Sequence, residues 1–332
     1  MNSIGNSHIS RRRMLLSVPA LIMAPRTLLQ TSNPRIRVTG INHVTLSVSD
    51  VKRSVDFYQG LFGMPVLSRQ GPTVTNLQIG NGPQFLGINA AGSNASNINH
   101  LCLGVEDFNV DRIVGILRQH GFAQSDATGP MKVRVRMREG TTEVHFGDPD
   151  GIVIQLQDAR YCGGTGPLGN VCARPEPAPK KGLLAVRDWN HCTNSVSDPA
   201  RSHKFYLELF DFQIQAYQGP ASPVLGIGNG VQFVMFAGPR NPTGINHLCM
   251  SMDNFNPDAV IKALESYGIK PRSNTQGTVG PLVHYVNRRM ENRGGAKEGT
   301  PELYFTDPDG LPIQLQDTKY CGGGGVLGNI CV

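Results

Sequence analysis

Four histidines stand in one recurring sequence pattern, and histidine is the commonest metal ligand among the side chains. His43, His100, His191 and His247 each follow an asparagine and begin a stretch in which apolar and polar residues alternate. A single histidine on a strand more often has a structural hydrogen-bonding role. Four at equivalent positions, beside small polar residues, predict metal binding in at least one half of the chain.

The elements that carry these histidines are predicted to be strands. In the first of them, alternation places Val44, Leu46 and Val48 on one face and His43 and Thr45 on the other. We therefore expect helices to pack on the apolar face and a pocket to lie on the histidine face.

Each histidine strand is followed by the signals of one helix and three further strands. Asp50 is placed to cap a helix over residues 51–62, and a second helix is predicted over residues 110–120. An Asp-Pro-Asp-Gly turn, at residues 148–151 and again at 307–310, joins the last two strands of each half. The sequence therefore predicts an α+β protein built from β-α-β-β-β units.

The chain of 332 residues is long enough for two domains, and its repeats divide it into two similar halves. We predict an N-terminal segment at residues 1–38, a first module at 39–172, a proline-rich linker at 173–182 and a second module at 183–332. The second half is longer than the first before its last hairpin. The extra residues are expected around positions 288–300, where they form a candidate lid.

The excess positive charge lies at the N-terminus. The formal net charge is +6, yet residues 1–38 contain arginines and no acidic residue, so basic and acidic residues balance in the remainder. The folded body therefore has no nucleic-acid signature.

Residues 10–24 are typical of a twin-arginine export signal, with an apolar run too short for a stable membrane span. We expect a periplasmic or secreted protein, or a cytoplasmic one if this segment is only a basic tail. The alternative that this segment is an uncleaved anchor stays open.

The seven cysteines include two pairs that end the two halves in the same way. In an exported protein we expect Cys162 to pair with Cys172 and Cys321 with Cys331, closing two small glycine-rich loops. Metal binding by these pairs is disfavoured because nothing nearby completes a tetrahedral set. Cross-pairing between the halves stays open.

At the level of motifs, both halves resemble the vicinal oxygen chelate superfamily, which includes glyoxalases, bleomycin resistance proteins and extradiol dioxygenases. The resemblance rests on His43 with residues 47–58, on His191 with residues 195–206 and on the two Asp-Pro-Asp-Gly hairpins. It implies four β-α-β-β-β units, paired into two modules with cupped mixed sheets. It also implies a divalent metal with ligands on the first, fifth and last strands of a module. Carried over to this sequence, these positions are His43, His100 and Gln155 in the first module and His191, His247 and Gln314 in the second.

The glutamines are a departure, because members of the superfamily usually have glutamate on the last strand. An amide supplies a neutral carbonyl oxygen and cannot act as a base. Such a site leaves the metal at its full charge, which suits an anionic chelating substrate. The change harms proton-transfer chemistry more than dioxygen chemistry, so Fe(II) is the expected metal, with Mn(II), Zn(II) or Ni(II) as alternatives.

Three further residues are candidate catalytic groups. Tyr304 precedes Gln314 by the spacing that the resemblance implies for a catalytic tyrosine of ring-cleaving dioxygenases, and His145 has the same relation to Gln155. His284 is a candidate for the catalytic histidine of those enzymes. On this basis the second half is the better candidate for catalysis.

The sequence therefore favours a metal-dependent dioxygenase that acts on a small chelating substrate, phenolic or enediol-like. The alternatives are a glyoxalase-type lyase or isomerase and a non-catalytic small-molecule-binding protein of the resistance type. A small-molecule substrate is the expected partner, nucleic acid is not, and assembly into a homo-oligomer is left open.

Overall fold

The computed structural model describes residues 34–274 and 279–332, together with Met1. The predicted export signal at residues 10–24 lies outside the described residues. In the first half of the described chain, the helices and strands follow the order that the sequence predicts, with one additional two-residue strand at Ala123–Gln124. They are β1 (Val38–Val48), α1 (Val51–Phe62), β2 (Val66–Gln70), β3 (Val74–Gln78), β4 (Phe85–Ala90), β5 (Asn97–Val105), α2 (Val110–Gln119), β6 (Ala123–Gln124), β7 (Lys132–Arg138), β8 (Thr141–Gly147) and β9 (Val153–Asp158).

The second half repeats this order. Its elements are β10 (Asp188–Ser195), α3 (Pro199–Leu209), β11 (Gln213–Tyr217), β12 (Pro223–Gly226), β13 (Phe233–Ala237), β14 (Gly244–Met252), α4 (Pro257–Ser266), β15 (Lys270–Pro271), β16 (Val283–Arg289), β17 (Thr300–Thr306) and β18 (Pro312–Asp317), with a short 3-10 helix at Glu291–Arg293. Asparagine or aspartate side chains cap the N-termini of all four α-helices, as Asp50 does for α1 by accepting from the Arg53 N–H.

Each half forms one mixed sheet of nine strands. The first has the strand order β2-β3-β4-β1-β5-β9-β8-β7-β6, and the second has the corresponding order from β11 to β15. The first strand of each sheet runs parallel to the fourth and antiparallel to the fifth, so the two histidine strands of a half lie side by side. These two sheets confirm the predicted α+β fold of paired β-α-β-β-β units.

The apolar faces of both sheets contribute to one continuous core. Val44, Leu46 and Val48 are fully buried in it, as the alternation in β1 predicts. Aromatic rings join the halves across this core, since Phe57 and Phe62 of α1 both contact Phe305 of β17. The histidine faces consequently point away from the core.

The Asp-Pro-Asp-Gly turns also connect the halves. Asp148 of the first turn accepts a hydrogen bond from the Tyr206 hydroxyl on α3, and Asp307 of the second accepts one from the Tyr58 hydroxyl on α1. Burial raises the pKa of both carboxyl groups to about 6, although backbone N–H donors in each turn oppose the rise. Each turn thus docks on a helix of the opposite half.

The extra residues of the second half form the connection between β16 and β17, at residues 290–299. The corresponding connection in the first half consists only of residues 139 and 140. Gly294 lies against the backbone of Tyr217, and Arg289 donates to the Arg293 carbonyl. A lid function for this insertion stays a prediction.

Both predicted disulfides are present, Cys162 with Cys172 and Cys321 with Cys331. They are compatible with an extracytoplasmic location. Among the described helices, none has the length and apolar character needed to cross a bilayer.

Candidate metal centre

Three side chains of the first sheet converge on one point. His43 on β1, His100 on β5 and Gln155 on β9 occupy neighbouring strands. The His43 Nε2 atom lies 3.3 Å from the His100 Nε2 atom and 3.2 Å from the Gln155 Oε1 atom. We call the sheet face around these residues the first cup.

The second sheet carries the same arrangement, which we call the second cup. The His191 Nε2 atom lies 3.3 Å from the His247 Nε2 atom and 3.2 Å from the Gln314 Oε1 atom. The structure therefore brings together all six predicted ligands as two separate sets.

The asparagine before each histidine fixes which ring nitrogen carries the proton. The Asn42 Nδ2 atom donates to the Tyr161 carbonyl oxygen at 2.8 Å, so its Oδ1 atom must face the His43 Nδ1 atom, also at 2.8 Å. An amide oxygen only accepts, and therefore the His43 proton is on Nδ1. In the second pair of this cup, the Asn99 Oδ1 atom faces the His100 Nδ1 atom at 2.8 Å.

It follows that both Nε2 atoms of the first cup present lone pairs. Together with the Gln155 carbonyl oxygen, three acceptors point at each other and no proton lies between them. A cation held between these three atoms would be stabilised by all of them. The donor set therefore fits a divalent metal with two imidazole ligands and one amide ligand.

The protonation states of the histidines suit this role. Burial, with smaller contributions from His100 and His145, holds the pKa of His43 well below its ordinary value of 6.5. Burial also lowers the pKa values of His100 and His247 to about 4. These imidazoles are neutral at neutral pH, which is the form that binds metals.

Aromatic side chains hold the ring of the first-strand histidine in each cup. The Phe85 ring stacks on His43 with centroids 4.3 Å apart, and the Phe233 ring stacks on His191 at the same distance. The asparagine and phenylalanine positions were not predicted as site residues. The repeated Asn-His pair in the sequence could have identified the asparagines.

The predicted catalytic residues have different positions relative to the cups. His145 on β8 pairs with Gln155 in the ladder, and its ring contacts His100 in the first cup. Tyr304 on β17 pairs with Gln314 and contacts His247 in the second cup. Burial holds the pKa of His145 well below its ordinary value and raises that of Tyr304.

The structure does not bring His284 to either cup. Its neighbour on β16, Tyr285, stacks on Tyr304 in the second cup. Because successive strand residues point to opposite faces, His284 lies on the other side of the sheet. There its Nε2 atom is 3.3 Å from a carboxylate oxygen of Glu265 on α4.

The buried glutamates of both cups form ion pairs. Glu143 contacts Arg136 at 2.7 Å and Arg138 at 3.3 Å, and Glu302 contacts Arg289 at 2.8 Å. Neither glutamate completes a ligand set. Within the described parts of the chain, no cluster of three or more histidine, cysteine, aspartate and glutamate side chains has the arrangement of a metal site. A ligand role for the amide oxygens of Gln155 and Gln314 stays a prediction.

The first cup contains a cavity of about 230 Å³. The side chains of His43, His100, His145 and Gln155 line it, so the donor atoms are accessible to a small molecule.

Bulkier side chains occupy the second cup. Met235 stands opposite Thr193 where Gly87 stands opposite Thr45 in the first sheet. The stacked rings of Tyr285 and Tyr304 likewise take the places of Arg134 and His145.

The histidines of the two cups differ accordingly in exposure. His247 is buried, whereas His100 is partly exposed. The two cups therefore share a donor set but differ in the space around it.

Comparison with known proteins identifies the fold. Residues 40–156 match the family model of the Glyoxalase/Bleomycin resistance protein/Dioxygenase superfamily. The matched segment lies in the first half of the chain. The second half repeats its strand order, its histidine positions and its last-strand glutamine, so the superfamily fold occurs in both halves.

Solved structures of the superfamily fold extend the likeness over most of the chain. A catechol 2,3-dioxygenase is 15% identical with a TM-score of 0.57, covering 87% of this chain and 93% of that one. A Mn(II)-bound glyoxalase from Novosphingobium aromaticivorans is 16% identical with a TM-score of 0.58, covering 84% of this chain and 82% of that one. Homoprotocatechuate 2,3-dioxygenase from Brevibacterium fuscum, in complex with 3,4-dihydroxyphenylacetate, is 16% identical with a TM-score of 0.57, covering 86% and 82%. At these identities the likeness shows the fold and not the reaction.

Proposed function

We propose that this protein is a divalent-metal-dependent enzyme, of the dioxygenase type, that acts on a small chelating molecule. The observation that carries the proposal is the convergence of three lone pairs, from His43, His100 and Gln155, on one point beside a cavity. Fe(II) is the metal we favour, with Mn(II), Zn(II) or Ni(II) as alternatives. Similar folds in dioxygenases and in a Mn(II)-bound glyoxalase support a divalent metal.

We place the reaction in the first cup. Its cavity reaches the donor atoms, while Met235 and the Tyr285–Tyr304 pair crowd the equivalent position of the second cup. This placement differs from the sequence-based expectation, which favoured the second half because of Tyr304.

The residues of the first cup have separate roles in this proposal. His43, His100 and Gln155 would hold the metal, which would supply Lewis acidity toward a chelating substrate. His145 lies next to them, and its Nδ1 atom is buried without a hydrogen-bond partner among the described residues. It is placed to accept the proton that a chelating hydroxyl group loses on binding. Phe85 keeps the His43 ring in position.

The neutral donor set makes a dioxygenase reaction the better choice. An isomerase or lyase that moves protons through a metal-bound carboxylate has no equivalent group here, because Glu143 is held by Arg136 and Arg138. An oxygenase requires mainly that the protein hold the metal with open positions.

Oxygen uptake with a panel of catechols, using Fe(II)-loaded protein, tests this function. We expect substrate-dependent oxygen uptake whose rate falls at least tenfold in His145→Gln. A positioned proton acceptor typically contributes about 10²–10⁴-fold to a rate. His100→Ala should reduce the rate more than the matched variant His247→Ala. The reverse order would place the reaction in the second cup.

Other outcomes favour the alternative functions. Substrate consumption without oxygen uptake would favour a glyoxalase-type lyase or isomerase. Saturable binding without turnover would favour a small-molecule-binding protein.

A further inference from the structure

The first cup has an excess of positive charge. Arg134, Arg136 and Arg138 line its cavity together with a single carboxylate, that of Glu143. Two guanidinium charges are therefore left without a counterion inside a small cavity, where charges interact more strongly than in bulk water.

The three arginines are not equally engaged. Arg136 and Arg138 use their Nε atoms for Glu143, and Arg138 also donates to the Gln70 side chain. The Arg134 side chain is half-buried and lines the cavity, and among the described residues its guanidinium group has no hydrogen-bond partner and no close ion pair, although its charge acts on Glu143 at longer range. Its guanidinium group is free to bind a ligand.

The second half provides an internal comparison, because the same strand positions carry other residues there. Tyr285 and Asn287 of β16 correspond to Arg134 and Arg136 of β7. The remaining guanidinium, that of Arg289, is fully used by Glu302 and by the carbonyl oxygens of residues 293 and 323. The fold and the donor set therefore do not require the extra arginines, and their excess is specific to the open cup.

Arg134 is placed to reach a molecule bound at the donor atoms. In the ladder it lies opposite His145, which lies opposite Gln155. Adjacent strands are about 4.8 Å apart, so the strands of Arg134 and Gln155 are separated by about 10 Å. Both side chains line one cavity of about 230 Å³, which one small molecule can span.

We infer that the substrate of the first cup is an acid, whose chelating oxygens face His43, His100 and Gln155 and whose carboxylate is bound by Arg134. The planar guanidinium group binds a carboxylate through two parallel hydrogen bonds. The part of this inference that concerns the chelating oxygens rests on the proposed function. The part that concerns the carboxylate rests on the arginines that line the cavity.

Binding of two matched ligand pairs tests the inference. On Zn(II)-loaded protein without oxygen, 3,4-dihydroxybenzoate should bind about 10- to 100-fold more tightly than catechol, the ratio expected for a hydrogen-bonded ion pair. Benzoate should likewise bind more tightly than benzamide, its neutral analogue, whether or not metal is present. Dissociation constants are measured by calorimetry, and metal content is measured for each sample.

Variants identify the residue responsible. Arg134→Gln should bring the affinity for the acid down to that for catechol without changing the metal content, and Arg134→Lys should keep part of the preference. The matched control Arg160→Gln removes the same charge from an exposed site outside the cup and should keep the full preference.

Equal binding of acid and neutral ligand, or a full preference in Arg134→Gln, would overturn the inference. Stronger competition by inorganic phosphate than by benzoate would overturn the choice of a carboxylate. A protein that holds no metal but prefers benzoate to benzamide would refute the proposed function and leave the anion contact standing. Oxygen uptake without preference for acidic catechols would support the proposed function and overturn the anion contact.

Discussion

Replacement of Asn42 by leucine tests the argument that asparagine sets the histidine tautomer. Asn42 is 2% exposed and makes two hydrogen bonds, one to the Tyr161 carbonyl and one from the His43 ring. Leucine has nearly the same shape but cannot make either bond. Each buried group left without a partner costs about 1–3 kcal/mol, so Asn42→Leu should lower the free energy of unfolding by about 2–6 kcal/mol.

The same variant should weaken metal binding. Without the Asn42 acceptor, His43 loses the contact that keeps its proton on Nδ1 and its lone pair on Nε2. Loss of a partner of this kind typically reduces metal affinity by about 10- to 100-fold. Urea denaturation of the metal-free protein measures the first effect, and a competition titration with a chromophoric chelator measures the second.

Asn99→Leu is the matched variant that separates the two effects. Asn99 is exposed and makes one hydrogen bond, to His100. Its replacement should change the free energy of unfolding by no more than about 0.5 kcal/mol, as is usual at the surface. It should still weaken metal binding in the first cup. Unchanged metal affinity in both variants would refute the tautomer argument.

Three further predictions concern other parts of the molecule. Gln155→Glu and Gln314→Glu should each retain metal more tightly in dialysis against a chelator, because a carboxylate adds charge to the donor set, and no change would remove that glutamine from the ligands. Gly87→Met should abolish ligand binding in the first cup but spare its metal, since even a Cβ at Gly87 lies 2.7 Å from the Thr45 Oγ1 atom; ligand affinity equal to wild type would contradict this. Since the pKa of Asp148 rises from 3.8 to about 6 in the folded state, its contribution to stability is fully present below pH 3.8 and is lost as the pH rises through about 6. Asp148→Asn should therefore remove about 2 kcal/mol of the stability change between pH 4 and pH 7 in urea denaturation, and an unaltered profile would contradict the shift.

Features that repeat in both halves were predictable from the sequence. The alternation around His43, the helix signal at Asp50 and the spacing to Gln155 recur about 150 residues later, and each copy supports the interpretation of the other. Strand pairing then brings the ligand positions together without further information, because β1, β5 and β9 are neighbours in the sheet.

Individual side chains that distinguish one cup from the other were missed. Nothing in the sequence distinguishes Arg134 from a solvated strand arginine until the cavity is known. Met235 likewise has the pattern of an ordinary apolar strand residue. It occupies space in the second cup that is left open in the first cup, where the equivalent residue is Gly87. Which cup is accessible depends on these individual side chains, and their positions follow from register rather than from pattern.

Long-range contacts also escaped prediction. The Asp-Pro-Asp-Gly motif predicts a turn because of its backbone preferences. It carries no information about the partner of Asp307, which is Tyr58 on a helix of the other half. The sequence also did not show which face of the sheet His284 occupies, because its nearness to the expected strand does not determine the direction of its side chain.

The metal content of anaerobically purified protein tests the central claim most directly. Elemental analysis should find a divalent metal bound at each donor set, and His100→Ala should lose the ion of the first cup while keeping that of the second. Protein that stays free of metal after exposure to Fe(II), Mn(II), Zn(II) and Ni(II) would contradict the claim.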